Sequence, residues 1–237
     1  MIYVVADIHG NERRFNSILK QINLRSCDTL YVLGDVVDRY PGGIRILRKI
    51  MSMPNVKMIL GNHEYMMLRA LGCPRDDFWD DGGAMGHWYR NGGNLTHAAF
   101  KRIRKTTRQE IIDYLLNLPL NLDVEVNGRM YKLVHAAPME EYEPQDRYKN
   151  PIYFTVWKRF ENDYTFSGDY TLVFGHTPTR YFQPQIPMEI FYGNRMIGID
   201  CGSGYPETGV SSEYGRLACL RLDDGKVFYS EEAKDCP

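Results

Sequence analysis

Residues 29–39 read TLYVLGDVVDR, and this stretch decides the fold. Leu30 to Leu33 form a short apolar run of the kind that fills a strand buried on both faces. Gly34 ends the run. Asp35, Asp38 and Arg39 then follow within five residues. Charges placed just past a buried strand are costly unless they neutralise something. The arrangement recurs along the chain. Residues 2–10 read IYVVADIHG, 56–64 read VKMILGNHE, 131–137 read YKLVHAA and 170–177 read YTLVFGHT. Each time a strand-like run stops and an Asp, Asn or His follows.

Working outward, the first third reads as βαβαβ. Strands are expected at Ile2–Ala6, Thr29–Leu33 and Val56–Leu60. Asn11–Ile22 is an amphipathic helix with Phe15, Ile18, Leu19 and Ile22 on one face. Pro41–Met51 is a second helix, with Pro at its start and Ile44, Leu47 and Ile50 as its stripe. Another helix begins near Glu64. Arg75–Leu118 breaks this rhythm with aromatics (Phe78, Trp79, Trp88, Tyr89) and an Asn91-Gly92-Gly93 turn. It reads as a helical insertion ending in a helix over Gln109–Leu118, stopped by Pro119. The remainder reads mostly as strand: Leu122–Val126 and Met130–His135 around the hairpin turn Asn127-Gly128, then Thr171–Phe174, Met196–Asp200, Leu217–Leu222 and Val227–Tyr229. The expected architecture is α/β, with a two-sheet core and helices outside, in a single domain over 1–237.

Asp7, His9, Asp35, Asn62, His135 and His176 are the candidate metal ligands. Carboxylate, amide oxygen and imidazole nitrogen suit Mn, Fe, Zn or Mg, and no soft thiolate set is present. Six donors exceed what one ion needs when water and substrate must also fit. Two divalent ions sharing one carboxylate account for them, a pairing that clamps both oxygens of an in-line displacement at phosphorus.

With 237 residues, 43% apolar content and a net charge of −1, the chain can bury a full core and lacks the basic bias of a nucleic-acid binder. The basic run Lys101–Arg108 reads as a solvated helix face. No apolar stretch approaches a membrane span, and the N-terminus runs straight into Ile2–Ala6 without the features of a signal peptide. Cys27, Cys73, Cys201, Cys219 and Cys236 are odd in number and lack metal-like spacing. The expectation is a cytoplasmic protein with reduced thiols, no membrane partner and no nucleic-acid partner.

The order DxHG, GDxxDR, GNHE, His and GHT resembles the phosphoprotein phosphatase group of the calcineurin-like metallophosphoesterases. Within it, the chain is similar to the bacterial and bacteriophage serine/threonine phosphatase branch of the lambda type. That branch also shows HWxxNGG, here His87–Gly93, a WxR, here Trp157-Lys158-Arg159, then FGHTP, here Phe174–Pro178, and IDxG, here Ile199–Gly202. The resemblance runs over about residues 2–229. It implies a four-layer fold of two packed sheets flanked by helices. It places Asp7 and His9 on a first metal, Asp35 between the two, and Asn62, His135 and His176 on a second. Mn is the expected metal, with Fe and Zn as alternatives. His63 becomes the general acid, oriented by Asp38. Arg39 and Arg159 hold the phosphate oxygens, and Asn62 also faces the substrate.

The implied activity is phosphomonoester hydrolysis by attack of a metal-bridging hydroxide, on a phosphorylated protein or a small phosphoester. The alternatives are a dinucleoside polyphosphate hydrolase and a non-catalytic interaction module on the same fold. Retention of His63, Asp38 and every ligand argues against the module. The chain departs from the family pattern at Ala136-Ala137, where glycines are usual, and at Tyr40-Pro41, which could narrow the mouth beside Arg39. Ser203–Tyr214 reads as an insertion that adds a rim to the site.

Overall fold

The structure, a computed structural model, describes residues 1–75, 83–145, 147–148, 150–161, 164–206 and 215–231. Phe78, Trp79, Cys236 and residues 207–214 of the expected second insertion lie outside the described residues.

Two five-stranded sheets form the centre. In the first, β1 (Ile2–Val5), β2 (Thr29–Val32) and β3 (Val56–Met58) run parallel, in register Val5 to Val32 and Val32 to Met58. The hairpin of β9 (Ala218–Arg221) and β10 (Val227–Tyr229) extends this sheet, with β9 antiparallel to β1. In the second, β4 (Asn121–Val126) and β5 (Arg129–Val134) form the expected hairpin. Asn127 and Gly128 both take the left-handed conformation its tight turn requires. Then β6 (Thr171–Phe174) pairs parallel with β5, and β8 (Met196–Gly198) parallel with β6. The edge is β7 (Phe191–Gly193), antiparallel to β8.

Side-chain alternation builds the layers. Tyr3, Val5, Leu30 and Val32 face a helical core, whereas Val4, Ala6, Tyr31 and Leu33 face the second sheet. There they meet Val124, Tyr131, Leu133 and Val173. The period of two thus commits one face of the first sheet to helices and the other to its partner sheet. Val134, Leu172 and Phe174 point outward to a third cluster with Phe154 and Phe160. Phe154 lies on α7 (Pro151–Trp157), which closes the fourth layer.

On the opposite side lie α1 (Glu12–Ile22), α2 (Gly43–Met51) and α3 (Asn62–Ala70). Asn11 caps α1 by accepting from Arg14 N, and Phe15, Ile18 and Ile22 are buried as the stripe predicts. The insertion supplies α4 (Ala84–Arg90), α5 (Gly93–Arg102) and α6 (Lys105–Leu116).

Several boundaries differ from expectation. α2 starts at Gly43 rather than Pro41, because Tyr40 N and Gly42 N are bonded back to His9 O and Gly10 O, which holds Pro41 in a loop. The β2 and β3 strands stop at Val32 and Met58, where the chain turns into the site. The last insertion helix starts four residues before Gln109, and the run Lys101–Arg108 spans the break between α5 and α6. Among the described residues no helix is long and apolar enough to cross a membrane.

Candidate active site

Each parallel strand delivers a polar residue just beyond its carboxyl end: Asp7 after β1, Asp35 after β2, Asn62 after β3, His135 after β5, His176 after β6 and Asp200 after β8. This is the edge at which open α/β sheets bind ligands. The chain turns sharply there. Asp7, His9, Asp35, Asp38, Arg39 and His176 all have positive φ, between 52° and 71°. The other described non-glycine residues with positive φ, Asn23, Asn127 and Arg195, sit at a helix cap and two hairpin turns. The remaining strain, about 1–3 kcal/mol per residue, is therefore concentrated on the candidate site.

Buried hydrogen bonds hold these turns. Glu64, at the start of α3, accepts from the backbone N–H groups of Asp35 (2.8 Å), Val36 (2.8 Å), Val37 (3.2 Å) and Gly61 (3.2 Å). Asp35 Oδ1 accepts from His63 N at 2.9 Å. Gly61 must be glycine, because a Cβ there would land on Asp35. His176 N donates to both Asp7 oxygens, at 3.2 and 3.0 Å.

The result is a cavity of about 330 Å³ lined by Asp7, His9, Asp35, Arg39, Asn62 and His63 at its base. Trp157, Arg159, His176, Asp200, Asn91, Pro178, Tyr181 and Tyr205 complete the wall. Every sequence-expected site residue except Asp38 and His135 lines it, and those two lie directly behind. Asp38 Oδ2 is 2.7 Å from His63 Nδ1, and His135 Nε2 is 2.8 Å from Asn62 Oδ1.

Two donor groups share Asp35: His9 with His63, and His135 with His176. Within each, the candidate ligand atoms lie within 4.8 Å of one another. Asp7 belongs to neither group but lines the same cavity.

The hydrogen-bond pattern fits a cation. His135 Nδ1 is 2.7 Å from Leu33 O, so that nitrogen carries the proton. Burial pushes the His135 imidazole below its usual value, so Nε2 keeps a lone pair. That lone pair faces the lone pairs of Asn62 Oδ1 at 2.8 Å, and His176 Nδ1 faces the same oxygen at 2.8 Å. A cation shared by these atoms removes the conflict. His176 Nε2 is buried without a hydrogen-bond partner. Burial, then His135 and Arg159, push the His176 imidazole far down. Burial, then Arg39 and His63, do the same for His9. Burial thus disfavours the proton on three imidazoles, which suits ligation.

His63 behaves differently. Burial works against its proton, but Asp35 and the hydrogen bond to Asp38 outweigh burial and raise the imidazole above its usual value. Asp35 is opposed by burial too, yet His135, His63 and His9 hold it well below the carboxylate range. Asp7 is pushed well up by burial, Asp200 and Asp35. Asp200 is pushed up to about 6, chiefly by burial. Crowded buried carboxylates of this kind call for neutralisation by bound charge.

Three residues escaped the sequence reading. Asp200 follows a strand as the candidate ligands do and sits inside the quoted IDxG stretch, so a signal for it is present. Trp88 Nε1 donates to Asp38 Oδ2 at 2.8 Å, and Asp38 N donates to Thr96 Oγ1 at 2.8 Å. Trp88 sits inside the quoted HWxxNGG stretch, whereas Thr96 has no local sequence signature. The departures noted above are accommodated. Ala136 N and Ala137 N donate to Thr155 O, and Tyr40 Oη donates to Tyr205 O at 2.6 Å, tying the described start of the second insertion to the cavity wall.

The family model for calcineurin-like phosphoesterases matches residues 1–202, and the chain belongs to that family. It is similar to serine/threonine-protein phosphatase 2 of Salmonella typhimurium, with 29% identity over 76% of this chain and 81% of that protein. It is also similar to a symmetrical bis(5'-nucleosyl)-tetraphosphatase of Acidovorax ebreus, with 28% identity over 61% of this chain but 47% of that protein. A solved metallophosphoesterase from Sphaerobacter thermophilus shares the fold, with a TM-score of 0.54 and 16% identity over 97% of this chain and 87% of that one. The family indicates a hydrolase built on a dinuclear metal centre, and the paired donor groups around Asp35 are where such a centre fits.

Proposed function

We propose that the chain is a phosphomonoester hydrolase of the serine/threonine protein phosphatase type, using two Mn ions. The observation that carries this reading is the split among four buried histidines. Burial pushes His9, His135 and His176 below the usual imidazole value, whereas His63, with Nδ1 2.7 Å from Asp38 Oδ2, is raised above it. Three suit ligation and one suits proton delivery.

Asp7, His9 and Asp35 would hold one ion, and Asp35, Asn62, His135 and His176 the other. When bound, two such ions lower the pKa of a water and offset charge on the phosphoryl oxygens. His63 Nδ1 is fixed on Asp38, so Nε2 is the atom that protonates the leaving-group oxygen. His63 Nε2 also lies 3.8 Å from Asp35 Oδ2, within reach of a ligand role. A cation at Asp35 would remove that share of the raise and leave the Asp38 hydrogen bond as the contact that holds the His63 proton. Arg39 Nη2 stands 3.4 Å from His63 Nε2 and, with Arg159, presents guanidinium groups to the phosphate.

A second reading, a dinucleoside polyphosphate hydrolase, is favoured by the cavity wall. The guanidinium of Arg159 lies 5.8 Å from the Tyr181 ring, and that of Arg180 lies 4.8 Å from the Tyr205 ring. Flat rings beside cations suit a nucleobase with further phosphates. Phosphate release from phosphoserine, phosphothreonine and phosphotyrosine peptides and from dinucleoside polyphosphates, with Mn present, separates the two. Turnover confined to the dinucleotides overturns the first reading.

A further inference from the structure

The helical insertion grips the corner that carries the proposed acid pair. Asp38 and Arg39 are consecutive, with φ of 71° and 65°. Two adjacent side-chain-bearing residues in the left-handed region persist only where surrounding contacts hold them. The contacts come from α4, α5 and the turn between them. Trp88 Nε1 donates to Asp38 Oδ2 at 2.8 Å, Asp38 N donates to Thr96 Oγ1 at 2.8 Å, and Arg39 N donates to Gly92 O at 3.3 Å. The Asp38 oxygen that receives Trp88 is the one that faces His63. Trp88 and Asp38 are fully buried, so water cannot replace the indole. Gly93 leaves room for that indole, because a Cβ there would lie 2.5 Å from its Cε2 atom. Thus Trp88, Gly92, Gly93 and Thr96 all serve one corner.

We propose that Trp88 and Thr96 are positioning residues that act on the reaction through Asp38 and so through His63. The inference rests on the acid role proposed for His63. The carboxylate has two tasks: it fixes the imidazole tautomer, and it aims Nε2 at the leaving group. A single carboxylate oxygen shared by His63 and Trp88 is fixed in direction by both donors. Removing the indole N–H leaves Asp38 free to rotate within its buried pocket, and Nε2 loses its aim. The loss falls on the step that needs the proton and spares substrate binding.

The test measures kcat and KM for wild type, Trp88→Phe, Thr96→Val, Thr96→Ser and His63→Asn, each loaded with Mn. The substrates are a phosphoserine peptide, whose alkoxide needs a proton, and p-nitrophenyl phosphate, whose leaving group does not. Trp88→Phe is expected to lower kcat on the phosphoserine peptide about tenfold, within the range of an orienting hydrogen bond to a charged group. Its KM stays within about twofold and its loss on p-nitrophenyl phosphate below about threefold, because uniform binding is untouched. Thr96→Val follows the same pattern, and Thr96→Ser, which keeps the hydroxyl, restores the rate. In an Asp38→Asn background Trp88→Phe adds less than about twofold, since coupled groups are not additive. Equal losses on the two substrates, or full additivity with Asp38→Asn, overturn the inference. If His63→Asn itself shows equal losses, the acid assignment fails and takes the inference with it. If His63→Asn shows the skew and Trp88→Phe does not, the inference alone fails.

Discussion

Asp200→Asn is expected to stabilise the metal-free protein progressively as pH rises from about 4 to about 7. Burial and Asp35 raise the Asp200 carboxyl from 3.8 to about 6. An acid raised in the folded state binds its proton more tightly there than when unfolded. Its contribution is therefore complete below 3.8 and lost as pH climbs through about 6. The shift corresponds to about 3 kcal/mol, or about 6–12 °C in Tm for a chain of this size. The wild-type slope alone is a poor readout. His9, His135 and His176 are lowered on folding and add stability with rising pH, opposing Asp7 and Asp200. The difference between Asp200→Asn and wild type isolates the Asp200 share. Scanning calorimetry in a chelator at several pH values measures it. With Mn present the difference is expected to shrink, because bound cations offset the buried charge. A metal-free difference that is flat across the window, or that Mn leaves unchanged, refutes the reasoning.

Other consequences can be measured directly. Gly93→Ala drives a methyl into the buried Trp88 indole and is expected to cost about 1–3 kcal/mol in a denaturant titration, despite the better helix propensity of Ala. Arg159→Ala removes a guanidinium from the cavity wall, and kcat/KM is expected to fall about ten- to hundredfold, as for a lost charge-assisted hydrogen bond; an unchanged value removes Arg159 from phosphate binding. Because His63 is raised above 6.5 and must carry a proton, kcat on phosphoserine is expected to fall as pH rises through that raised value, while p-nitrophenyl phosphate gives a flatter alkaline limb.

The strand ends were legible because apolar runs and ligand residues alternate so sharply in residues 2–10, 29–39 and 56–64. The structure brings Asp7, His9, Asp35 and Asn62 from those stretches to one cavity. Strand lengths were overstated, since Ile59 and Leu60 are buried and apolar but already belong to the turn that carries Asn62. Two elements were not read. Pro151–Trp157 mixes β-branched and aromatic residues over seven positions, too short for a helical stripe, although Asn150 and Pro151 are sound cap signals. Phe191–Gly193 is a three-residue edge strand, too short for its alternation to register, although its pairing with β8 across Asn194-Arg195 is local. Asp200 carries no motif role of its own in the sequence, although its place after β8 matches that of the candidate ligands. The grip of Trp88 on Asp38 joins residues 50 apart and has no sequence period to betray it.

The central claim is a dinuclear centre that shares Asp35, with His63 outside the ligand set. Anomalous scattering from Mn-soaked crystals of wild type and His63→Asn tests it most directly. Two Mn peaks, each touched by an Asp35 oxygen and both retained in His63→Asn, are the expected result. A single peak at saturating Mn, an Asp35 turned away from the metal, or loss of a peak in His63→Asn would contradict the account.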